Sequence, residues 1–560
     1  MHEPRRWPAA LVLSVLVALA GPAAAADEPD YADVNAYILQ AEMALQRDDY
    51  LMAVVEYRKA AELSDNPDVA RQAAATGLVY GFDEEALRAA KRWVELDGDS
   101  REARLFLAQL SYRTGDTRAA KRHFARLVNE KDGPPGEQLV KLLPYLSEDG
   151  DPADAVAIMR TLAKAHGDSS LAHYAVATLA LRSGDVDHAI ERVQRAIELD
   201  PEHLKSKLLY SRALLARGDV DEAIDYTARI IGDDFDPDPD ARMELAILYM
   251  MAGRADDALS QVNQILLEQS GRTDAVRLMA IINFHEGRLD AAWDDFNDIL
   301  MSGQFRMDAL FYLGRISDQR DEIDRAIRFY SGVRRGSNAI AAQRRAAVLL
   351  VEENDNLKAA VQLLDDFADD SPSNAVAATQ TRAMVLALAR EYDEALKYYD
   401  MAVRFRPDDE STILSRAELL VRMDRVDEAL ASYADAVRRW PKSALSLNAY
   451  GYTLADRTDR YREAEKLIRK AIKYDPDSPA IIDSLGWVLF KLGNFEEALA
   501  QLERAYAKLP DHEVAAHVVE TLVALGRRDE ALQRLEAAEE MTSDSELLED
   551  VRQRLFTDAP

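Results

Sequence analysis

The chain has 560 residues, no cysteine, and 69 basic against 100 acidic side chains, a formal charge of −31. The missing thiol excludes disulfides, zinc–thiolate sites, iron–sulfur clusters, thiol catalysis and a lipid carried on cysteine, and the acid excess argues against nucleic acid or anionic lipid as main ligand. At 48% apolar and 30% charged the chain can bury a large core, and its 23 Gly and 19 Pro are few enough to favour long helices.

The amino terminus reads as an address. Arg5 and Arg6 precede an apolar run from Ala9 to Ala20, Gly21 and Pro22 break it, and Ala23 to Ala26 offer small-residue cleavage sites. Residues 1–26 are therefore expected to be a secretory signal peptide, cleaved near Ala24, Ala25 or Ala26. The run of twelve is shorter than the roughly 20 residues a bilayer span needs. The mature chain is expected to be exported and soluble, resident in a bacterial periplasm, with no direct lipid anchor because it has no lipobox cysteine.

Beyond that leader a period of 34 organises the chain. One alanine recurs at Ala53, Ala86, Ala120, Ala155, Ala189, Ala223, Ala258, Ala292, Ala326, Ala360, Ala395, Ala429, Ala464, Ala498 and Ala531, at intervals of 33 to 35. Five residues before the mark stands a turn residue, often glycine: Gly115, Gly184, Gly218, Gly253, Gly287, Gly493, Gly526. Four after it comes a large apolar residue, such as Tyr57, Phe124, Phe296, Tyr330, Leu364, Tyr399, Tyr433 or Leu502. Seven after it comes a small or apolar one, such as Ala60, Ala196, Ala402, Ala436, Ala471 or Ala505. Twelve after it comes proline in the sharpest copies: Pro201, Pro372, Pro407, Pro441, Pro476, Pro510. Spacings of three and four are helical. The turn splits each unit into helix A and helix B, and the proline, lacking a donor, ends helix B.

The irregular copies mark expected joints. The second copy carries Ala90 and Trp93 where large-then-small is the rule. Gly133-Pro134-Pro135-Gly136 and the internal Pro144 predict a kink or break, the acidic run Gly232–Asp240 a linker, and the unit of Ala464 holds one extra turn residue. The expected organisation is a leader over 1–26, repeats over 27–132, 133–232 and 233–543, and a cap helix with its tail over 544–560.

The pattern resembles the tetratricopeptide repeat. Its clearest copy is Ala480–Pro510, where Leu485, Gly486, Leu489, Phe495, Ala498, Leu502, Ala505 and Pro510 match residue by residue, and the likeness covers roughly 34–545. The resemblance implies an all-α solenoid, a right-handed superhelix of about 15 helix-turn-helix repeats. A lone hairpin cannot bury its apolar faces, so stacking must supply the core.

No phosphate-loop, dinucleotide, nucleophile-elbow or zinc-protease motif occurs. His512 and His517, five apart, read as exposed helical residues. Asp234, Asp236, Asp238 and Asp240 alternate like a calcium loop but place Pro239 and Leu245 where Gly and Glu are required. The expectation is no enzyme, no catalytic residue, no metal and no cofactor.

The family resemblance places partner contacts on the exposed face of helix A. By register from each alanine, the candidate groove residues are Tyr174, Met250, Phe311, Arg315, Asn448, Tyr452, Trp487 and Phe490, with Tyr112 and Phe284 on the same face. Aromatic residues anchor interfaces and Met suits adaptable ones. The Lys-plus-Asn clamp of chaperone-binding relatives is not matched at Asn448 and Tyr452, so acidic carboxyl termini are not the expected ligands. The passages Asp308–Leu350 and Leu447–Gly493 are similar to Gram-negative envelope adaptors of a carboxyl-terminal processing protease. That resemblance implies a scaffold that binds and activates the protease and presents peptidoglycan hydrolases to it. A repeat component of an exopolysaccharide or envelope assembly or secretion complex is the alternative. Either way the expected partners are proteins, not nucleic acid.

Overall fold

A computed structural model describes residues 31–47, 49–128, 133–147, 150–232, 238–370, 372–542 and 545–556. The leader 1–26 and the linker residues 233–237, with Asp234 and Asp236, lie outside them. Among the described residues the regular structure is helical throughout, with 31 α-helices and one short 3₁₀ turn. Twenty-eight of the α-helices pair into fourteen antiparallel hairpins, with Thr273–His285 and Leu289–Ser302 lying in sequence between the seventh and the eighth, and Glu546–Phe556 follows the last. The chain divides into two compact units, one ending at Ala292 and the other beginning at Trp293.

Each marked alanine is the fourth residue of its helix B, from Ala53 in Tyr50–Leu63 to Ala531 in Arg528–Met541. All fifteen are buried, none more than 1% exposed. The large residues four later are buried as well, and Phe124, Phe296 and Leu502 fully so. In the second hairpin the order is swapped without loss, since Ala90 and Trp93 are both buried and Trp93 meets Phe106 edge-on at 5.5 Å.

Helix A approaches closely where it carries glycine. A Cβ on Gly486 would stand 2.5 Å from Leu502 Cγ and 3.2 Å from the Ala498 carbonyl oxygen, and one on Gly314 would meet the Tyr330 ring at 2.7 Å. The glycine thus admits the large residue of helix B as well as its alanine.

The A–B turn has one recurrent geometry. Five before the mark the backbone is left-handed, at nine glycines (Gly81, Gly115, Gly150, Gly184, Gly218, Gly253, Gly287, Gly493, Gly526) and at Asp321, Asp355, Arg390 and Asp424. In most of these turns the next N–H reaches back five residues, as Asn494 does to Leu489 at 2.9 Å and Glu391 to Leu386 at 2.9 Å. This is the six-to-one bond of a Schellman cap, which requires the left-handed residue. The longer turn before Ala464 closes differently, with Thr458 extended and its hydroxyl accepting the Arg460 N–H at 3.1 Å. In the proline-bearing copies helix B ends two residues before the proline, at Leu199, Asp370, Phe405, Arg439, Tyr474 and Lys508, and Pro372 itself opens the next helix.

Two expected joints carry ordinary packing. Helix Pro135–Ser147 continues past Pro144, and one core runs from Ala108, Tyr112 and Phe124 to Leu139, Leu142 and Ile158. Residues on both sides of the acidic linker, Leu208, Ile224, Leu245 and Leu248, share another. Asp238 caps the helix that follows, its side chain accepting the Asp240 N–H at 2.8 Å. At the carboxyl end, Leu548 and Val551 of Glu546–Phe556 are buried against the last hairpin.

Two substitutions test this geometry. Gly486→Ala should destabilise by about 1–3 kcal/mol through overpacking. Arg390→Gly, at φ 64 and exposed, should stabilise by about 1 kcal/mol by removing a left-handed side-chain penalty. Urea midpoints followed by circular dichroism should move in opposite directions for the two.

Candidate protein-binding surface

The sequence-predicted residues fall into separate places. Tyr174, on Ser170–Arg182, stands edge-on to His203 at 5.4 Å, and Met250, on Pro239–Met251, is half-buried against a core containing Ala246 and Ile282. Both belong to the first unit. In the second, Phe311 and Arg315 share helix Arg306–Gln319, with the Arg315 guanidinium 5.9 Å from the rings of Phe311 and Tyr312. Tyr112 and Phe284 do not line a surface. Both are buried, and the Tyr112 hydroxyl donates to the Asp151 carbonyl at 2.9 Å beneath Gly150.

Asn448, Tyr452, Trp487 and Phe490 do come together, on the adjoining helices Ala444–Arg457 and Pro479–Lys491. The next helix A, His512–Ala524, packs on the other side of Pro479–Lys491. Trp487 corrects the expectation for its own ring. It is 6% exposed, stacked on His517 at 4.1 Å and on Phe490 at 5.1 Å, with Lys491 Nζ 4.2 Å from its centroid. It floors the surface, while the half-buried Asn448, Tyr452 and Phe490 and the exposed Leu445 and Glu513 reach solvent.

Three residues that sequence reasoning missed hold this floor. His517 is buried, not exposed, and its Nδ1 lies 2.9 Å from Asp483 Oδ1, also buried. The Tyr452 hydroxyl donates to Glu513 Oε1 at 2.6 Å. The available signal was the repeat, since Asp483 and His517 are 34 apart and stand one register step from each other in neighbouring helices A, fifteen and fourteen residues before Ala498 and Ala531.

The electrostatics are those of a packed acid–base patch. Burial pulls the His517 pKa down, but the hydrogen bond and charge of Asp483, aided by Glu513 and Glu520, raise it on balance. Burial and the Glu513 carboxylate push the Tyr452 phenol well above its ordinary range, so it stays a donor. Among the described residues no group of three or more His, Asp or Glu is placed to hold a metal.

Residues 141–203, 174–241, 211–275 and 414–479 match one model of the tetratricopeptide repeat, and 457–516 and 489–555 match a second. The chain carries tetratricopeptide repeats. Over 210 residues it is 34% identical to the TPR repeat-containing protein PA4667 of Pseudomonas aeruginosa, covering 38% of this chain and 35% of that one. Over 140 residues it is 27% identical to the CTR9 homolog of Arabidopsis thaliana, covering 25% and 12%. The chain thus spans about a third or less of the curated relatives it matches. A solved tetratricopeptide repeat protein from Parabacteroides merdae superposes with a TM-score of 0.37 at 14% identity, over 45% of this chain and 99% of that one.

The His517 shift has a sign that can be measured. A raised histidine contributes stability that is full below the unfolded value near 6.5 and is lost as pH rises through the folded value. The loss in urea midpoint caused by His517→Gln should therefore be larger at acidic pH than at alkaline pH. Equal losses at both would show that no extra proton is held.

Proposed function

We propose that this tetratricopeptide repeat protein is a non-enzymatic scaffold of the bacterial envelope. In this reading it binds and activates a carboxyl-terminal processing protease and presents peptidoglycan hydrolases to it from the periplasm. The reading is carried by the passage Leu447–Gly493, which resembles the envelope adaptors and also supplies Asn448, Tyr452, Trp487 and Phe490 of the candidate surface. The passage Asp308–Leu350 and the export-type amino terminus support it.

The surface has the chemistry of a protein contact. Half-buried rings beside an exposed Leu445 offer apolar area, and Glu513 and Lys491 at its edge offer specific polar partners. Anchors of this kind, set in a rim that excludes water, dominate protein interfaces. Such a scaffold accelerates proteolysis by bringing two proteins together at high effective concentration.

The test is reconstitution. The purified mature chain should raise cleavage of an amidase- or endopeptidase-type hydrolase by a processing protease by about tenfold, the scale that co-localisation supplies. Leu445→Glu combined with Phe490→Ala should weaken protease or hydrolase binding by about tenfold, roughly 1.4 kcal/mol, with helicity unchanged. Cleavage unaltered by the chain, with crosslinking in envelope extract recovering exopolysaccharide-synthase or secretion subunits instead, would move the protein to the assembly class.

A further inference from the structure

In a stack of hairpins each repeat touches its immediate neighbours. The Tyr452–Glu513 hydrogen bond breaks that rule. It joins helices Ala444–Arg457 and His512–Ala524, which flank Pro479–Lys491 and each pack against it. The phenol therefore crosses the middle helix, close enough to Asp483 to feel its charge as well as those of Glu513 and Asp456.

Under this crossing lie Asp483, Trp487 and His517, all buried. On these two adjoining helices two buried polar atoms have no hydrogen-bond partner, the Trp487 Nε1 donor and the Asn448 Oδ1 acceptor. Leaving a buried donor and a buried acceptor unmade is costly. One donor and one acceptor on adjoining helices match the C=O and N–H of a peptide.

Glu513 differs from the other carboxylates of this patch. Asp483 is paired with His517, Glu520 with Arg554 of the cap helix at 2.7 Å, and Asp456 with Arg457 at 3.0 Å. Glu513 is exposed and accepts from a neutral phenol. The phenol makes a single charge-assisted bond to this carboxylate, whereas an incoming guanidinium adds a full positive charge and a two-pronged fork that can engage both carboxylate oxygens, so it competes with Tyr452 for Glu513.

We propose that the Tyr452–Glu513 contact is a latch over the last three hairpins, displaced by a cationic side chain of the bound protein. Its release uncovers Trp487 and Asn448 for the partner's backbone. This inference rests on the scaffold reading for its occupant, but its test involves no protease. A chain that fails the reconstitution assay and passes the following one loses the adaptor role and keeps the latch.

The probe is Trp487 fluorescence in a chain whose Trp7, Trp93, Trp293 and Trp440 are replaced by Phe, quenched by acrylamide. Losing one hydrogen bond shifts a local opening by a few-fold, so Tyr452→Phe and Glu513→Ala should each raise the quenching constant about threefold with helicity unchanged. N-acetyl-arginine amide should raise it in the Tyr452 and Glu513 parent, and the neutral isostere N-acetyl-citrulline amide should not. Glu513→Ala should abolish the response to arginine. Constants unmoved by both variants, or equal responses to arginine and citrulline, would overturn the latch. The amide comparison needs no groove substitution, so it decides the question even if a variant fails to fold.

Discussion

The structure depends on how closely two helices can lie. The fourth residue of every helix B is an alanine with essentially no solvent exposure. Where the facing helix A also carries glycine, as at Gly486, the gap closes until one added carbon would collide with Leu502. Close approach lets a short hairpin bury an apolar seam, but it leaves each hairpin with apolar outer faces. Those faces are buried by the next hairpin, so stability within each unit is a sum over neighbours and not the property of one central core. The separate clusters around Trp93, Phe124, Phe367 and Leu502 are the direct expression of that arrangement.

This explains which features were legible. The alanine recurs fifteen times, and the large residue four later and the proline stop recur in many of the same copies, so repetition made them visible in the letters alone. The turn was legible in part. Glycine flagged it at Gly493, but the requirement is a left-handed backbone closing a Schellman bond, and Asp321, Asp355, Arg390 and Asp424 satisfy it with a side chain. The expectation of a glycine or polar turn residue five before the alanine covers these four positions, and the left-handed conformation is what they share with the glycines. Pro144 misled in the opposite sense. Its missing donor is tolerated inside Pro135–Ser147, and the core passes it without interruption.

The candidate surface was legible in register and not in depth. Counting back from the alanine puts Tyr112, Tyr452 and Trp487 on the open side of helix A, but Tyr112 and Trp487 are buried there and only Tyr452 is half-buried. Whether such a ring reaches solvent depends on what the neighbouring repeats contribute. Tyr112 is roofed by Gly150, and Trp487 is stacked on His517, a residue 30 positions away in sequence. Histidine spacing within one helix suggested nothing, because the partner of His517 is Asp483, one full period earlier. In a repeat protein, complementary side chains should be sought at the period as well as at three and four residues.

The same neighbour-only energetics bear on how such a surface can work. A globular core resists local opening because each contact shares partners with many others. In a hairpin stack, a contact that skips a repeat, like Tyr452 with Glu513, can break while the alanine seams on both sides stay intact. Beneath it lies the buried Asp483–His517 pair, whose hydrogen bond and charge raise His517 against the pull of burial. Release of the proposed latch would therefore reach His517 through one pair of side chains, without any change in the repeats that carry the fold.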